Sequence, residues 1–439
     1  MFEEAVRYLL SLGHETLTIK LGLRNTQLLL EALGNPQRNF PAAQIAGTNG
    51  KGSTAVMLDA ICRAAGIRTG LFTSPHLVSI TERIKIDGRD VSRLQFAKCT
   101  ERVRRAAEGL LSQKEIEALP TFFEHLTAIA LEAFQQAGVE LAVLETGLGG
   151  RLDATTAVGA ELVALTPISM DHEEFLGSTI ESVAAEKAAI IHKGVRAVVA
   201  PQAPAALQVI LKQCEICDVE PIMTNEDQVQ IEQWSSDGRF RMTITTSQDR
   251  YESLWLRLRG QHQIANALVA IQLAECLRND GFHITNGAIV EGLEQAEHAG
   301  RLELHDGRPS ILLDGAHNPA GAETLRQYLD QFVPQPVTLI FGGMHDKKLA
   351  QMAMLLFPAA RWIVLTKLDN PRSATTESLQ DLAGSIREPS EIRTAPCVSG
   401  ALRIAKEITP GAGLICVTGS LYLVGEIKTL LEKELSLAQ

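Results

Sequence analysis

Residues 46–54 read Ala46-Gly47-Thr48-Asn49-Gly50-Lys51-Gly52-Ser53-Thr54, with an apolar strand before them and a helix directly after. Glycines let main-chain N–H groups approach a phosphate, a helix N-terminus favours anions, and a lysine here can reach the β- and γ-phosphates of a nucleotide. Glycine follows Lys51 where the common phosphate-loop pattern places Ser or Thr, so the segment does not match that standard pattern. A plain glycine turn is the competing reading, but a lysine between glycines has no packing purpose.

Two carboxylates close apolar runs. Glu145 leads into Thr146-Gly147-Leu148-Gly149-Gly150, and Asp314 into Gly315-Ala316-His317-Asn318-Pro319. Open α/β sheets bind ligands beyond the carboxyl ends of their strands, where a carboxylate can hold Mg2+ or ribose hydroxyls. Either could instead cap a helix. Asp171-His172 follows a third strand; by residue type alone, such a histidine is more often a surface or capping residue than a ligand of a hard ion. Ser178-Thr179-Ile180-Glu181 reads as a capping box opening a helix that ends before Gly194. On that helix Lys187 shares a face with Val183, Ala184 and Ile191. Such a lysine either snorkels or is a functional group, neutralised or chemically modified. Cys214-Glu215-Ile216-Cys217 resembles half a zinc site without a second half.

Short β-branched runs alternating with helical patterns must position these residues. Strands are expected at 44–46, 69–72, 141–144, 162–166 and 197–200, with amphipathic segments such as 55–65 and 122–136 between them. The polar, alternating stretch 228–258 predicts antiparallel hairpins, followed by helices at 261–277 and 287–296. After residue 300, strands at 310–313, 337–341, 362–365 and 414–417 alternate with helices near 321–332, 349–357, 377–385 and 400–407. The fold class is thus α/β: a parallel sheet with a small antiparallel sheet in 1–298, then a second doubly wound unit over 299–439. With 439 residues, two or three domains are expected. A hydrophobic content of 45% excludes global disorder. Net charge of −11 without a basic stripe argues against a nucleic-acid binder. Seven cysteines, an odd number, an acidic start and the lack of a long apolar run predict a reduced, cytoplasmic protein without a membrane anchor.

Together, 47–53, Thr73-Ser74-Pro75-His76-Leu77 and 145–155 resemble the folylpolyglutamate synthase and dihydrofolate synthase family, a branch of the Mur-type ATP-dependent amide ligases. Asp171-His172, Glu186-Lys187-Ala188, His262-Gln263, Asn266-Ala267, Gly300-Arg301-Leu302-Glu303, 314–319 and Thr418-Gly419-Ser420-Leu421-Tyr422 continue the likeness in order. It implies an N-terminal P-loop-type Mur-ligase ATPase domain, a C-terminal Rossmann-like glutamate ligase domain and an active site between them. By this resemblance Thr48, Asn49, Gly50, Lys51, Gly52 and Ser53 hold ATP, together with Asn266, Arg301 and Asp314. It makes Ser74, Glu145 and His172 ligands of Mg2+, and Lys187 a carbamylated lysine serving a second Mg2+. Lys51, Lys187 and His172 would then be the catalytic residues.

Ile19, Lys20, Leu21, Thr121, Phe122, Phe123, Glu124, Leu152, Asp153 and Ala154 match segments lining the folate or dihydropteroate pocket, with Lys20 where the family has an acidic residue. His317, Arg372 and Ser420 are candidate glutamate contacts. The implied reaction joins L-glutamate to a folate-side carboxylate through an acyl phosphate, on dihydropteroate, on reduced folates or on both. The expected enzyme is a monomer whose partners are small molecules. A Mur-type ligase of a peptidoglycan precursor and a nucleotide-binding module without catalysis are the competing readings.

Overall fold

Near-continuous apolar runs such as Ala-Ala-Gln-Ile-Ala and Leu-Ala-Val-Leu-Glu are what a parallel sheet covered on both faces requires. They become β1 (Ala42–Ala46) and, beyond β2 (Thr69–Phe72), β3 (Ile84–Ile86) and β4 (Arg89–Asp90), β5 (Leu141–Glu145). Every residue of β1 and β5 is buried. With β6 (Leu162–Leu165), β7 (Arg196–Val199) and β8 (Ile222–Met223), they form a sheet of order β4-β3-β2-β5-β1-β6-β7-β8. All pairings from β2 to β8 are parallel, and β3 and β4 add an antiparallel edge. The structure, a computed structural model, describes residues 1–13 and 22–438. The expected folate-side residues Ile19, Lys20 and Leu21 lie outside the described residues.

The stretch 229–255 forms β9 (Val229–Trp234), β10 (Phe240–Thr245) and β11 (Arg250–Trp255), the small antiparallel sheet expected from its alternation. Next come β12 (Glu303–His305), β13 (Ser310–Leu313), β14 (Val337–Phe341), β15 (Trp362–Thr366), β16 (Ile392–Ala395) and β17 (Leu414–Thr418). Their order is β12-β13-β17-β14-β15-β16, parallel except for β12. The chain divides into two compact units. Met1–Gln230, Met242–Trp255 and Ile264–Ala296 make the first; Ile231–Arg241, Leu256–Gln263 and Glu297–Gln439 make the second.

Several local readings need correction. The β3–β4 hairpin, β8, β12 and β16 are absent from the expected strands: each is short and partly exposed, so its apolar signal is weak. The helix carrying Lys187 spans Ile180–Ala188 and is capped by Thr179, not Ser178. Ser182 N–H donates to Thr179 Oγ1 at 3.2 Å, and Thr179 N–H donates to Ser182 Oγ at 3.3 Å. The box is one residue later than its sequence suggests, because a hydroxyl at the third helical position does the work expected of Glu181. Among the described residues, no helix is long and apolar enough to cross a membrane.

Candidate active site

In the first unit, the ends of β2, β5, β1 and β6 bring four loops to one sheet edge. After β1 the chain turns through Gly50, at φ +88°, into the helix Lys51–Ala64. A Cβ on Gly50 would stand 2.3 Å from Asn266 Oδ1, so only glycine lets that amide approach. No side chain caps this helix at Gly50, and a helix start of this kind favours an anion. The loop is strapped down by the segment after β6. Thr48 N–H donates to Pro167 O at 3.0 Å, Thr48 Oγ1 to Ser169 O at 2.9 Å, and Asn49 Nδ2 to Ser169 Oγ at 3.3 Å. Ser53, just inside the helix, is buried.

Two lysines meet at this loop. Lys51 Nζ donates to Gly47 O and Thr48 O, both at 3.2 Å, and Lys187 Nζ donates to Gly47 O at 2.8 Å. Lys187 is only 4% exposed, so it does not snorkel. Burial, and next the Lys51 charge, push its ammonium down to about 7. The pairing of β2 with β5 explains a second meeting: Glu145 Oε2 accepts Ser74 N–H at 3.1 Å. His172 lies beyond β6 at φ +52°, its Nε2 3.9 Å from Asp171 Oδ2.

The loop after β5 is organised by Asp153. Its Oδ2 accepts the N–H groups of Gly147 and Leu148, both at 2.9 Å, while Oδ1 accepts from Thr155 N–H and Oγ1. Burial raises the pKa of this carboxyl. Arg151 ties the loop to the Lys187 helix through Glu186, at 3.0 Å. Leu152 is partly exposed and Ala154 buried. Phe123 packs against this loop; a Cβ on Gly147 would stand 2.5 Å from its ring.

Thr121-Phe122-Phe123-Glu124 proves to be a capping box, a signature present in the sequence but read there only as pocket lining. Glu124 N–H donates to Thr121 Oγ1 at 3.3 Å, Thr121 N–H to Glu124 Oε2 at 2.7 Å, and Thr26 Oγ1 to Glu124 Oε1 at 2.9 Å. Phe122 is buried beneath the Arg83 guanidinium. Of these four residues, Thr121 and Phe123 keep exposed surface.

In the second unit, the candidates follow the ends of β13, β15 and β17. Asp314 accepts Leu302 N–H on Oδ2 and Ala316 N–H on Oδ1, each at 3.0 Å, and burial raises its pKa. Arg301 Nη1 lies 3.5 Å from Gly315 O. His317 Nδ1 bonds Gly315 O at 2.9 Å, and Ser420 Oγ accepts Tyr422 N–H at 3.2 Å. Arg372 is held by Asp346, its Nε 3.2 Å from Oδ1 and its Nη2 bonded to Oδ2. Sequence reasoning missed Asp346, because 26 residues separate the partners and only the packing of two loops joins them.

A strand-end loop with two lysines, and carboxylates at strand ends of α/β sheets, fit the architecture of the Mur ligase class. The family model "Mur ligase middle domain" matches residues 45–274, and "Mur ligase, glutamate ligase domain" matches residues 300–421. Within that class, the chain belongs to the folylpolyglutamate synthase/dihydrofolate synthase family. It is 32% identical to the dihydrofolate synthase/folylpolyglutamate synthase of Mycobacterium tuberculosis over 456 residues, covering 98% of this chain and 94% of the relative. It is 35% identical over 437 residues to a Haloferax volcanii protein named "Probable bifunctional folylpolyglutamate synthase/dihydropteroate synthase". That alignment takes in 98% of this chain but spans half the relative's length (50%). The solved structure of M. tuberculosis folylpolyglutamate synthase complexed with ADP superposes with a TM-score of 0.91, at 32% identity and 98% coverage of both chains. Escherichia coli FolC in complex with DHPP and ADP gives a TM-score of 0.86, at 28% identity and 98% coverage of both chains.

Proposed function

We propose that the chain ligates L-glutamate to a folate-side carboxylate with cleavage of ATP, both as a dihydrofolate synthase on dihydropteroate and as a folylpolyglutamate synthase on reduced folates. The observation that carries this reading is the convergence of Lys51 and Lys187 on Gly47 O beside an uncapped helix start. The relatives' names and the ADP and DHPP complexes support the choice of substrates.

An ionised carboxylate is a poor electrophile. Transfer of the γ-phosphoryl group of ATP to the folate-side carboxylate gives an acyl phosphate and ADP. The neutral amino group of glutamate then attacks the carbonyl carbon, the amide forms, phosphate leaves and a proton is released. Lys51 and the main-chain donors of 50–53 stabilise charge on the moving phosphoryl group, mostly by positioning. Asn266, Arg301 and Asp314 hold the nucleotide; His317, Arg372 and Ser420 take glutamate. Thr121–Glu124 and 152–154 form the pteroate side, where Phe123 offers an aromatic face. The enzyme works as a monomer in the cytoplasm.

Mg2+, when bound, supplies positive charge against the phosphates. Ser74, Glu145 and His172 would hold one ion. A carbamylated Lys187 would serve a second: its neutral amine adds to CO2, an N–C bond forms and one proton is lost, leaving a carbamate anion. The donor set fits a hard ion that keeps phosphate and water ligands and needs only one or two protein carboxylates. Among the described residues, no three His, Cys, Asp or Glu side chains gather into an all-protein cage.

Phosphate release in the presence of Mg-ATP and glutamate tests the reading, with dihydropteroate and tetrahydrofolate offered separately. Stimulation by both is expected. Stimulation by tetrahydrofolate alone restricts the chain to polyglutamate synthesis, and stimulation by neither overturns the proposal.

A further inference from the structure

Arg301 sits in a turn with unusual main-chain support. The next residue, Leu302, is 1% exposed and adopts φ +47°, a left-handed conformation that is unfavourable for a non-glycine residue. Such a turn persists only if its surroundings hold it. Here two different carboxylates hold the N–H groups on either side of Arg301. Glu303 Oε2 accepts Gly300 N–H at 2.7 Å, and Asp314 Oδ2 accepts Leu302 N–H at 3.0 Å. Gly315 N–H donates back to Gly300 O at 2.8 Å. Asp314 belongs to the site already described, whereas Glu303 has no role there.

Glu303 is itself anchored. Its Oε1 accepts Lys428 Nζ at 2.6 Å from the last helix, Leu421–Ala438, and lies 3.0 Å from His305 Nε2. Both members of the Glu303–Lys428 pair are about one-fifth exposed, at 21% and 20%. The Arg301 guanidinium reaches Gly315 O only at 3.5 Å, the outer limit of a hydrogen bond. Its charge also acts on Asp314, and the main chain of the turn sets where its side chain starts. Lys428 lies 125 residues from Glu303 in sequence, and its contact with the turn runs through that carboxylate.

We propose that Glu303 and Lys428 are positioning residues for the nucleotide, fixing the turn 300–302 so that Arg301 is presented in one place. This rests on the reading of Arg301 as a nucleotide contact. The pair does not touch the reacting atoms. Its loss lets the turn relax toward ordinary backbone angles and carries Arg301 away from its partner.

The test is a steady-state comparison of Lys428→Met, Lys428→Arg, Glu303→Gln and Arg301→Ala, with Lys428→Met repeated in the Arg301→Ala background. Lys428→Met is expected to raise the KM for ATP about tenfold, below the roughly hundredfold penalty of a 1 Å misplacement, and to leave the KM for glutamate unchanged. Lys428→Arg restores the KM for ATP, and Glu303→Gln shifts it in the same direction as Lys428→Met. Once Arg301 is alanine, Lys428→Met has no further effect on the KM for ATP. An equal effect in both backgrounds would show that the lysine acts on the fold alone and overturns the proposal. So does an unchanged KM for ATP in Lys428→Met when Arg301→Ala raises it. If Arg301→Ala itself leaves the KM for ATP unchanged, the nucleotide reading of Arg301 fails, and the positioning role fails with it. Should Lys428→Met not fold, Glu303→Gln in the two backgrounds decides by the same criteria.

Discussion

The two units hold their candidate cations in opposite ways. In the first, Lys51 and Lys187 bond main-chain carbonyls, sharing Gly47 O. In the second, Arg372 is held by the Asp346 carboxylate, and the turn bearing Arg301 is pinned by Glu303 and Asp314. A carbonyl is a neutral partner, so a lysine that leaves it for a phosphate exchanges a dipole for an ion. An arginine already facing a carboxylate gains less from a second anion, but its planar fork is kept in a fixed orientation. The first arrangement suits a group that must follow a moving phosphoryl charge. The second suits recognition of a ligand that does not change charge as it binds.

The contrast breaks most sharply at Lys51. Lys51→Ala is expected to lower turnover ~100- to 1,000-fold, the usual loss for one transition-state charge contact, with an unchanged melting transition. Near-normal turnover in the folded variant would remove the loop from the chemistry. Lys187 comes next. If the lysine is carbamylated, Lys187→Arg cannot replace it, and turnover falls by at least ~10–100-fold, the typical loss when a metal site loses support. Lys187→Ala falls similarly and recovers in part when a small carboxylic acid is added. Full activity in Lys187→Arg would show that the side chain acts only as a cation.

On the second unit, Arg372→Ala should raise the KM for glutamate by about one to two orders of magnitude, as expected for a charge-assisted hydrogen bond of ~1.5–3 kcal/mol. Asp346→Asn should raise it by less, since the fork is loosened but present, and neither should move the KM for ATP. An Asp346→Asn variant with a lower KM for glutamate would mean that Asp346 competes with the substrate instead of orienting the arginine.

The smallest effect is on stability. Burial works against the charge on Glu303, yet the adjacent His305 ring and bonds from Lys428 and Gly300 N–H hold its pKa at about 2 instead of 4.5. A carboxylate depressed by folding stabilises the native state above its unfolded pKa, and that contribution disappears as pH falls through the folded value. Acid unfolding of the wild type should therefore steepen between pH 4.5 and about 2. Glu303→Gln should flatten that part of the profile. Parallel profiles would show that the carboxylate is not clamped.

Much of this architecture can be read from the chain alone, because period and punctuation are local. The buried strands β1, β5, β14 and β17 are short apolar runs with turn residues at their ends. The glycine-lysine segment 47–52 announces an anion site in any fold that places it between a strand and a helix. The position of Lys187 on an apolar helix face also follows from its spacing to Val183 and Ala184. Residue spacing cannot say which distant groups meet. That Lys187 reaches Gly47 O across 140 residues, that Ser74 rests on Glu145 across 71, and that Arg372 faces Asp346 are consequences of strand order and loop packing. Tertiary structure also gives local roles to residues that the family resemblance places at the pteroate side. Glu124 completes a helix cap, and Asp153 accepts four hydrogen bonds within its own loop. Side-chain chemistry is written in the sequence, but which polar atoms are already satisfied depends on neighbours that only the folded chain supplies.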